Sequence, residues 1–492
     1  MLGEGRLLMN MLKAGFCRAN IDPPLGIAIR GYYKKRYASA ILDSLYVNVA
    51  AFSVKSDMAE KNVWNPDTGE YDAQAMKENA PESIVLVAGI DNCGIDAEQC
   101  TEYRRYMEAC TGVPAERIIL HSTHTHTAPY TKNDGRFDAD ASKIEFYGSL
   151  VKTRLADAAA AAIADLKPAR MGYIVGQAPD RVAYIRRYKM KDGTTWTCPP
   201  IEDANIDHPI GTLDQRVNML RFDREGGDTL VIMNYGLHAD CLNLDQVSPD
   251  WPGWMAKTFE TAVPGTKVMF LNGAEGDVGS THVYPEGGDM NDTFISFDNE
   301  MKSPGMARFV GRALAGTLLQ VYDKAEYVDV DTLDIMTRVI RVPANKARPE
   351  DLPLARKYKA LHDAGHDDQI PYTAMELTTV VAEATRMLNL ENGPDQFELA
   401  LTGLRLGPVV FAGIPGEPFT QIGRSIKEAP GYKMILPVCL CNGTQGYFPM
   451  KEAFDEGGYE ARSSRYKGGV AETIIEESKV MLEELLKKSA DR

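Results

Sequence analysis

No apolar run in this chain approaches the ~20 residues that a membrane-spanning helix needs. The opening stretch, Met1-Leu-Gly-Glu-Gly-Arg-Leu-Leu-Met-Asn-Met-Leu-Lys13, is too short and too interrupted for a signal h-region with a clean cleavage site. An excess of positive charge is missing too. Lys and Arg number 54 against 69 Asp and Glu, a formal balance of −15, which argues against nucleic acid and against adhesion to anionic lipid. No C-x-x-C pair occurs, so a structural zinc knuckle is excluded, and the eight cysteines are expected as free thiols in a reducing cytoplasm. Histidine is scarce at eight residues, yet three of them, His121, His124 and His126, fall within six positions.

Those three lie in Arg117-Ile-Ile-Leu-His-Ser-Thr-His-Thr-His-Thr-Ala-Pro-Tyr130. Ile118 to Leu120 reads as a buried strand, and Pro129 prevents a helix from starting cleanly after it. Residues two apart in an extended segment point to one side, so His124 and His126 can converge. Imidazole binds zinc and moves protons near neutral pH. A lone histidine there would read as a core residue bonded to nearby carbonyls; His-Thr-His at a strand exit points to a site.

A chain of 492 residues, one quarter of them charged, has ample core, and at roughly 100–200 residues per domain it holds two or three domains or one large one. The order of its elements favours the latter, a single α/β domain spanning 1–492 with a large mixed sheet, flanking helices and its site at strand ends. Strands are expected at Leu45–Ser53, Ile84–Ile90, Leu230–Tyr235, Lys267–Leu271, Phe397–Leu406, Val409–Ile414 and Met434–Leu440. Helices are expected over residues 96–112, from a capping box at Ser142-Lys-Ile-Glu145 to near Lys167-Pro168, from Pro249 through Ala262, from Ser303-Pro304, and from about Val470 to Lys487. Residues 54–82 form a turn-rich polar excursion, and 345–393 a mostly helical, charged insertion. The basic aromatic segment Arg30-Gly-Tyr-Tyr-Lys-Lys-Arg36 reads as a solvated loop, placed where it can also lean over a site.

His124, His238, Glu417 and Tyr447 each lie just beyond an apolar strand. Open α/β sheets bind ligands at the carboxyl ends of their strands, so four metal-capable residues at four such exits suggest one convergent centre.

At these residues the sequence resembles the neutral/alkaline, non-lysosomal ceramidase family. The T-H-T-H-S-G-P motif of those zinc amidases is matched by Thr123-His-Thr-His-Thr-Ala-Pro129, and their second histidine segment by Asn234-Tyr-Gly-Leu-His238. Their P-G-E is matched by Pro415-Gly-Glu417, their tyrosine motif by Asn442-Gly-Thr-Gln-Gly-Tyr447, and their I-T-P-P opening by Ile21-Asp-Pro-Pro24. The resemblance implies one Zn²⁺ per chain held by His124, His238, Glu417 and Tyr447, with His126 facing the substrate and Tyr447 sharing in catalysis. Zinc with such ligands polarises a carbonyl and lowers the pKa of bound water to about 7. Where the family has G-D-V-S-P-N this chain has Gly276-Asp-Val-Gly-Ser-Thr281, with Gly279 in the serine's place, so metal-activated water is expected rather than a covalent serine. His238-Ala-Asp240 stands where the family has a proline after the histidine. The chain also stops soon after its tyrosine motif, so it is expected to lack the family's C-terminal immunoglobulin-like domain.

Further candidates for substrate contact are Arg186 and Arg187, which can clamp a carboxylate, Trp251 at a helix start, and Asp277 and Ser280 in the Gly-rich turn, where Asn272 also sits. An H-x-H-x-D-H dinuclear site is absent, and strands precede the H-x-H motif, unlike a barrel amidohydrolase. The sequence therefore predicts a zinc-dependent hydrolase cleaving an amide of a soluble polar molecule, without stable membrane association. An ester or lactone is the alternative substrate, and a metal-stabilised binding protein the alternative of another class.

Overall fold

The computed structural model describes residues 12–54, 64–65, 70–71, 83–133 and 141–490; the 54–82 excursion lies almost entirely outside them. The first part of the chain forms β1 (Lys13–Asn20), β2 (Tyr46–Ser53), β3 (Val85–Ile90), α1 (Ala97–Thr111), β4 (Ile118–Ser122) and α2 (Ala141–Ala164). The middle adds β5 (Lys167–Gln177), β6 (Arg216–Arg224), β7 (Thr229–Tyr235), α3 (Asp250–Ala262), β8 (Thr266–Asn272) and α4 (Pro304–Val321). The last part contributes β9 (Leu333–Pro343), α5 (Leu352–Asp363), α6 (Ala374–Glu391), β10 (Gln396–Leu406), β11 (Val409–Gly413), α7 (Thr420–Ile426), β12 (Met434–Val438) and α8 (Val470–Ala490).

These make a mixed α/β architecture with two principal sheets. The large one runs β8-β7-β6-β5-β1-β2-β3-β4, and the smaller β9-β10-β11-β12. The large sheet's two edges return to one another, since the Asn272 N–H in β8 donates to His121 Nε2 in β4 at 2.9 Å. Within these two sheets three strand pairs are parallel: β3 with β4, β7 with β8, and β11 with β12. Parallel neighbours need a crossover, and here α1, α3 and α7 supply it, giving three βαβ units.

The apolar strands are buried on both faces, which is why they read as continuous runs rather than alternations. Val85 and Val87 of β3 face a central core shared with Phe52, Phe222, Ile232, Leu404 and Phe411. Leu86 and Ala88 face outward, onto Tyr103, Met107, Tyr147 and Val151 of α1 and α2. Val231 and Met233 face α3 and α4 through Trp251, Met255 and Val310. Val410 and Ala412 face α8 through Ile474, Met481 and Leu482. The α3–α4 contact is close because Gly311 has no side chain: a Cβ there would lie 2.6 Å from that of Trp254.

Three strands of nine or more residues escaped the sequence reading. β5 carries Pro168 and two glycines, and Lys167-Pro168 looked like a helix stop. β6 and β9 are broken by arginines that a half-buried face tolerates. Ser142 is not the cap of α2, which already begins at Ala141. The helical insertion leaves from the tip of a hairpin whose strands pair without a break from Leu333↔Leu406 to Pro343↔Gln396. The 30–36 segment is no free loop. Tyr33 packs with Tyr358, Leu361 and Val380 of that insertion, and the Arg36 Nη2 group donates to the backbone oxygens of His126 and Arg30 at 2.6 and 3.0 Å.

Asp91, one residue past β3, holds the start of β2 by accepting the Tyr46 N–H at 2.9 Å. Burial pushes its carboxyl from 3.8 up to about 7, against the favourable bonds from Tyr46 and Thr123. The folded state thus binds a proton that the unfolded chain has released, so stability falls as pH rises from about 4 to about 7. Asp91→Asn, which keeps a carbonyl acceptor, is expected to stabilise the protein by roughly 1–3 kcal/mol at pH 8, with the gain disappearing near pH 4. Paired thermal melts across that range check this.

Candidate metal centre

Each βαβ unit delivers one residue to the same place. His124 follows β4, His238 follows β7, and Glu417 follows β11, while Tyr447 arrives from the loop after β12. All four are buried, or nearly so for Tyr447. Glu417 Oε2 lies 3.3 Å from His124 Nε2 and 3.4 Å from His238 Nε2, and the Tyr447 hydroxyl lies 3.4 Å from His238 Nε2. His126 Nε2 is 3.2 Å from His124 Nε2, so a third imidazole borders the same point.

The ring orientations are fixed from behind. His124 Nδ1 sits 2.6 Å from the Cys93 carbonyl, which makes Nδ1 the protonated nitrogen and turns the Nε2 lone pair inward. His238 Nδ1 has the backbone oxygens of Glu275 and Val278 at 2.8 and 3.0 Å, with the Glu275 carboxylate also against it. Trp251 Nε1 donates to the His238 carbonyl at 2.9 Å and fixes the backbone there. His124 itself adopts φ 71°, a left-handed conformation that costs a non-glycine residue energy and recurs at functional sites.

A cation suits this set. His124, His238, Glu275 and Glu417 each offer a ligand atom, all within 4.8 Å of one another. Glu275 lies on the Nδ1 side of His238, where it orients that ring; Tyr447 lies on the Nε2 side with Glu417. Glu417 Oε2 is buried with no hydrogen-bond partner among the described residues, an orphaned anionic oxygen between two imidazole nitrogens. Burial works against charge on His124, yet Glu417 and Glu275 hold its pKa well above the ordinary value. His238 is raised by the same carboxylates against burial and Arg186. Burial would raise the Glu417 carboxyl, but the two histidines hold it well below its usual range. The carboxylates therefore demand positive charge at this point, which a divalent ion on neutral imidazoles supplies.

The other candidates fall in different places. Arg186 is buried beside the centre: Nη2 donates to the Tyr447 hydroxyl at 3.1 Å and to the Gly276 carbonyl at 2.9 Å, while Nε pairs with Glu460 at 2.7 Å. Burial and Glu417 push the Tyr447 phenol up, and Arg186 pulls against them. Arg187 turns the other way, to Glu456 and the Gly457 carbonyl, both at 3.0 Å. Trp251 packs edge-on against Phe270 behind His238. Asp277 accepts the Thr420 N–H at the start of α7 at 2.7 Å. Asn272 ties the loops, accepting the Leu237 N–H at 3.2 Å. Ser280 accepts from Cys241 Sγ at 3.4 Å and lines a cavity of about 380 Å³ with Tyr184, His282, Met301 and Phe309. No hydrogen bond joins Ser280 to the histidines among the described residues.

Sequence reasoning passed over Glu275, although it lies in the same Gly-rich turn as Asn272 and Asp277. It also missed a buried group around His126. Asp240 Oδ2 is 3.5 Å from His126 Nδ1 and 2.8 Å from Lys302 Nζ. The Tyr32 hydroxyl meets Asp240 Oδ1, and its ring stands edge-on to His126 with centroids 5.2 Å apart. Gly31 makes this approach possible, since a Cβ there would lie 2.8 Å from that of His126. The spacing His238-Ala-Asp240 was the available signal; Lys302 and Tyr32 are too distant in sequence to have given one.

No family model matches the chain, and no curated protein matches it in sequence. Solved structures do. A neutral ceramidase from Pseudomonas aeruginosa superposes with a TM-score of 0.64 at 16% identity, covering 95% of this chain and 73% of that one. A ceramidase complexed with C2 gives a TM-score of 0.64 at 16% identity, covering 96% and 75%. At that identity the likeness is one of fold, and this chain has a ceramidase-like fold.

Proposed function

We propose that the chain is a zinc-dependent hydrolase of ceramidase type that cleaves an amide bond of a soluble polar molecule, with the described elements working as one catalytic unit. The observation that carries this reading is the meeting of His124, His238, Glu417 and Tyr447 around an orphaned carboxylate oxygen, with His126 beside them. One Zn²⁺ held by those four residues would supply a Lewis acid for the carbonyl and a water acidic enough to attack it near neutral pH.

The chain's own groups account for the remaining chemistry. His126 presents Nε2 to the centre and Nδ1 to Asp240, so it takes a proton from the attacking water and returns it to the leaving nitrogen. The C–O bond forms, the C–N bond breaks, and the amine departs neutral. Asp240 Oδ2 stands 3.5 Å from His126 Nδ1, which has no hydrogen-bond partner among the described residues, so Asp240 acts on His126 through its charge. Arg186, donating to Tyr447, favours its phenolate, the form that ligates a metal. The same centre would open an ester or lactone. The placement of His126 for protonating a poor leaving group, together with the ceramidase-like fold, favours the amide.

Substitution of His124 or His238 by alanine is expected to drop zinc content from one per chain to near zero. His362→Ala and His366→Ala should leave it intact, because His362 faces Asp367 at 2.8 Å on the distant insertion. Elemental analysis of dialysed protein reads this out, and stoichiometric zinc in the doubly substituted His124/His238 protein would sink the assignment.

The polar-substrate reading rests on the −15 balance, since basic residues near an anionic surface contribute about 1 kcal/mol each and acidic ones are repelled. Zinc-loaded protein should show a kcat/KM at least ~10-fold higher on short polar amides than on detergent-dispersed ceramide, a difference of about 1.4 kcal/mol in transition-state stabilisation. A preference for long-chain ceramide, with vesicle binding lost on neutralising residues 30–36, would reverse that part. Zinc bound without turnover of any amide, ester or lactone would favour a binding protein.

A further inference from the structure

Tyr447 is held in place by residues further along the chain. Its backbone runs parallel to that of Glu417 in the register Glu417↔Tyr447, and the Glu417 N–H donates to the Gly446 carbonyl at 2.9 Å. Two of the metal-capable residues thus share one local frame. The Ser464 hydroxyl donates to the Tyr447 carbonyl at 3.0 Å, and the Tyr466 hydroxyl to the Gln445 carbonyl at 2.8 Å. At the tip of the side chain, Arg186 donates to the Tyr447 hydroxyl. Arg186 is held by Glu460, a fully buried carboxylate that accepts from Arg186 Nε and from the Thr197 hydroxyl, both at 2.7 Å. Glu460 lies on a short helix, Tyr459–Ser463, and Ser464 directly follows it. The backbone and the phenol of Tyr447 therefore both depend on where residues 460–466 sit.

A buried cation fastens that segment to the helical insertion. Arg386 of α6 is 9% exposed and is the one charged residue among the buried positions of that helix. Its Nε donates to the Arg462 carbonyl at 2.9 Å, and its Nη1 donates to the Asn345 carbonyl. Asn345, at the root of the insertion, bonds the same segment again. Its N–H donates to the Arg465 carbonyl at 2.8 Å and its side-chain amide to the Ser464 carbonyl at 3.3 Å. Glu383, one turn before Arg386, accepts from Arg462 Nε and Nη2 at 3.0 and 2.6 Å and lies 3.7 Å from Arg386 Nη2. Packing alone would be served by an aliphatic side chain, and taking a guanidinium out of water is costly unless its donors are met. The planar fork of arginine can bridge two carbonyls from separate segments, which an ammonium on a flexible stem does not do in a fixed geometry.

We propose that Arg386 is a positioning residue of the centre: by bridging the Arg462 and Asn345 carbonyls it fixes residues 460–466, and through Glu460 and Ser464 it fixes Tyr447. The insertion then belongs to the working unit although it supplies none of the residues at the centre. The effect on turnover rests on the hydrolase reading above, whereas the effect on Tyr447 needs only that this residue ligates a metal. A shift of about 1 Å in a group that positions the chemistry can cost ~100-fold in rate, so a fastening this far from the centre can still be felt there. The exposed pair Arg356–Glu391, at 2.7 Å, joins α5 to α6 without bridging to residues 460–466 and serves as the contrast.

Metal spectroscopy and turnover together let the two readings fail separately. Full-length protein loaded with one Cu²⁺ per chain should show a phenolate-to-copper charge-transfer band that Tyr447→Phe abolishes. In Arg386→Ala the band should shift or lose much of its intensity at unchanged copper content. The kcat of the zinc-loaded variant on short amides should fall ~10–100-fold while KM changes by less than ~3-fold. Arg386→Lys keeps the charge but loses the two-ended bridge, and should show the same changes in smaller measure if Arg386→Ala does not fold. Ser464→Ala should perturb the band likewise and add little in the Arg386→Ala background, because residues acting along one path are not additive. Arg356→Ala should leave band and kcat as they are. An unchanged band and kcat in both Arg386 variants would overturn the proposal, as would equal losses in Arg356→Ala, which would mark a general loosening of the insertion. A band lost in Arg386→Ala, in a protein whose native form turns over no amide, ester or lactone, would uphold Arg386 and overturn the hydrolase reading instead.

Discussion

His121 is a neutral imidazole set where the carboxyl ends of the parallel strand pairs meet. Its Nδ1–H donates to the Cys439 carbonyl and its Nε2 accepts the Asn272 N–H, both at 2.9 Å, so one side chain ties β4, β8 and the end of β12. Burial pushes its pKa down to about 4, which keeps it neutral and keeps one nitrogen a donor and the other an acceptor. Asn234 reinforces the seam, donating to Leu271 O at 3.0 Å and Pro437 O at 2.7 Å. Asn442 does the same, accepting the Leu120 N–H at 2.9 Å. Apolar packing tolerates small slides of one sheet past another; fully satisfied buried hydrogen bonds do not, because each broken one leaves an unpaired polar group costing about 1–3 kcal/mol. The loops bearing His124, His238, Glu417 and Tyr447 leave the strands within a few residues of this seam, and their convergence follows from it.

The centre inherits a charge problem from that burial. Glu417, Glu275, Asp240 and Glu300 are all nearly inaccessible, and isolated carboxylates there would be far too costly. The chain resolves this in two zones. The outer zone uses permanent cations, Lys302 against Asp240 and Glu300, and Arg186 against Glu460. The inner zone uses imidazoles whose Nδ1 atoms are held by backbone carbonyls, so their Nε2 lone pairs can only face inward. A histidine in such a setting is neutral when it ligates a cation and charged when it does not, which lets the same residues satisfy Glu417 either way.

What the sequence disclosed follows from how local each signal was. The strands buried on both faces were legible as apolar runs, and because loops bearing His, Glu and Tyr follow them directly, His124, His238, Glu417 and Tyr447 could be picked out. The cap at Ser303, whose hydroxyl accepts the Met306 N–H at 2.8 Å, was legible for the same reason. β5, β6 and β9 were not, because Pro168, Arg221 or Arg338 interrupt them and their pairing partners decide their state. The split between Arg186 and Arg187 was equally hidden. Adjacent residues on an extended segment point to opposite sides, and only the register Ile185↔Val278 beside them determines which arginine meets Tyr447. Trp251 and Asp277 have the right chemistry for a site, but the fold uses them as a backbone anchor and a helix cap.

Gly279, which stands where the ceramidase motif has serine, and Asp240, two residues after His238, are physically coupled. Both adjoin the ion pair of Glu300 with Lys302, although they lie 39 residues apart in the chain. Asp240 brings a buried carboxylate beside His126, and Lys302 neutralises it. Lys302 also carries Glu300, which swings Oε1 to within 3.4 Å of where a Cβ at position 279 would be. A glycine there is consequently not a bare deletion. A longer side chain pointing that way would project between the Glu300 carboxylate and Arg186. Asp240, Lys302 and Glu300 are one electrostatic unit that borders Gly279 on one side and His126 on the other.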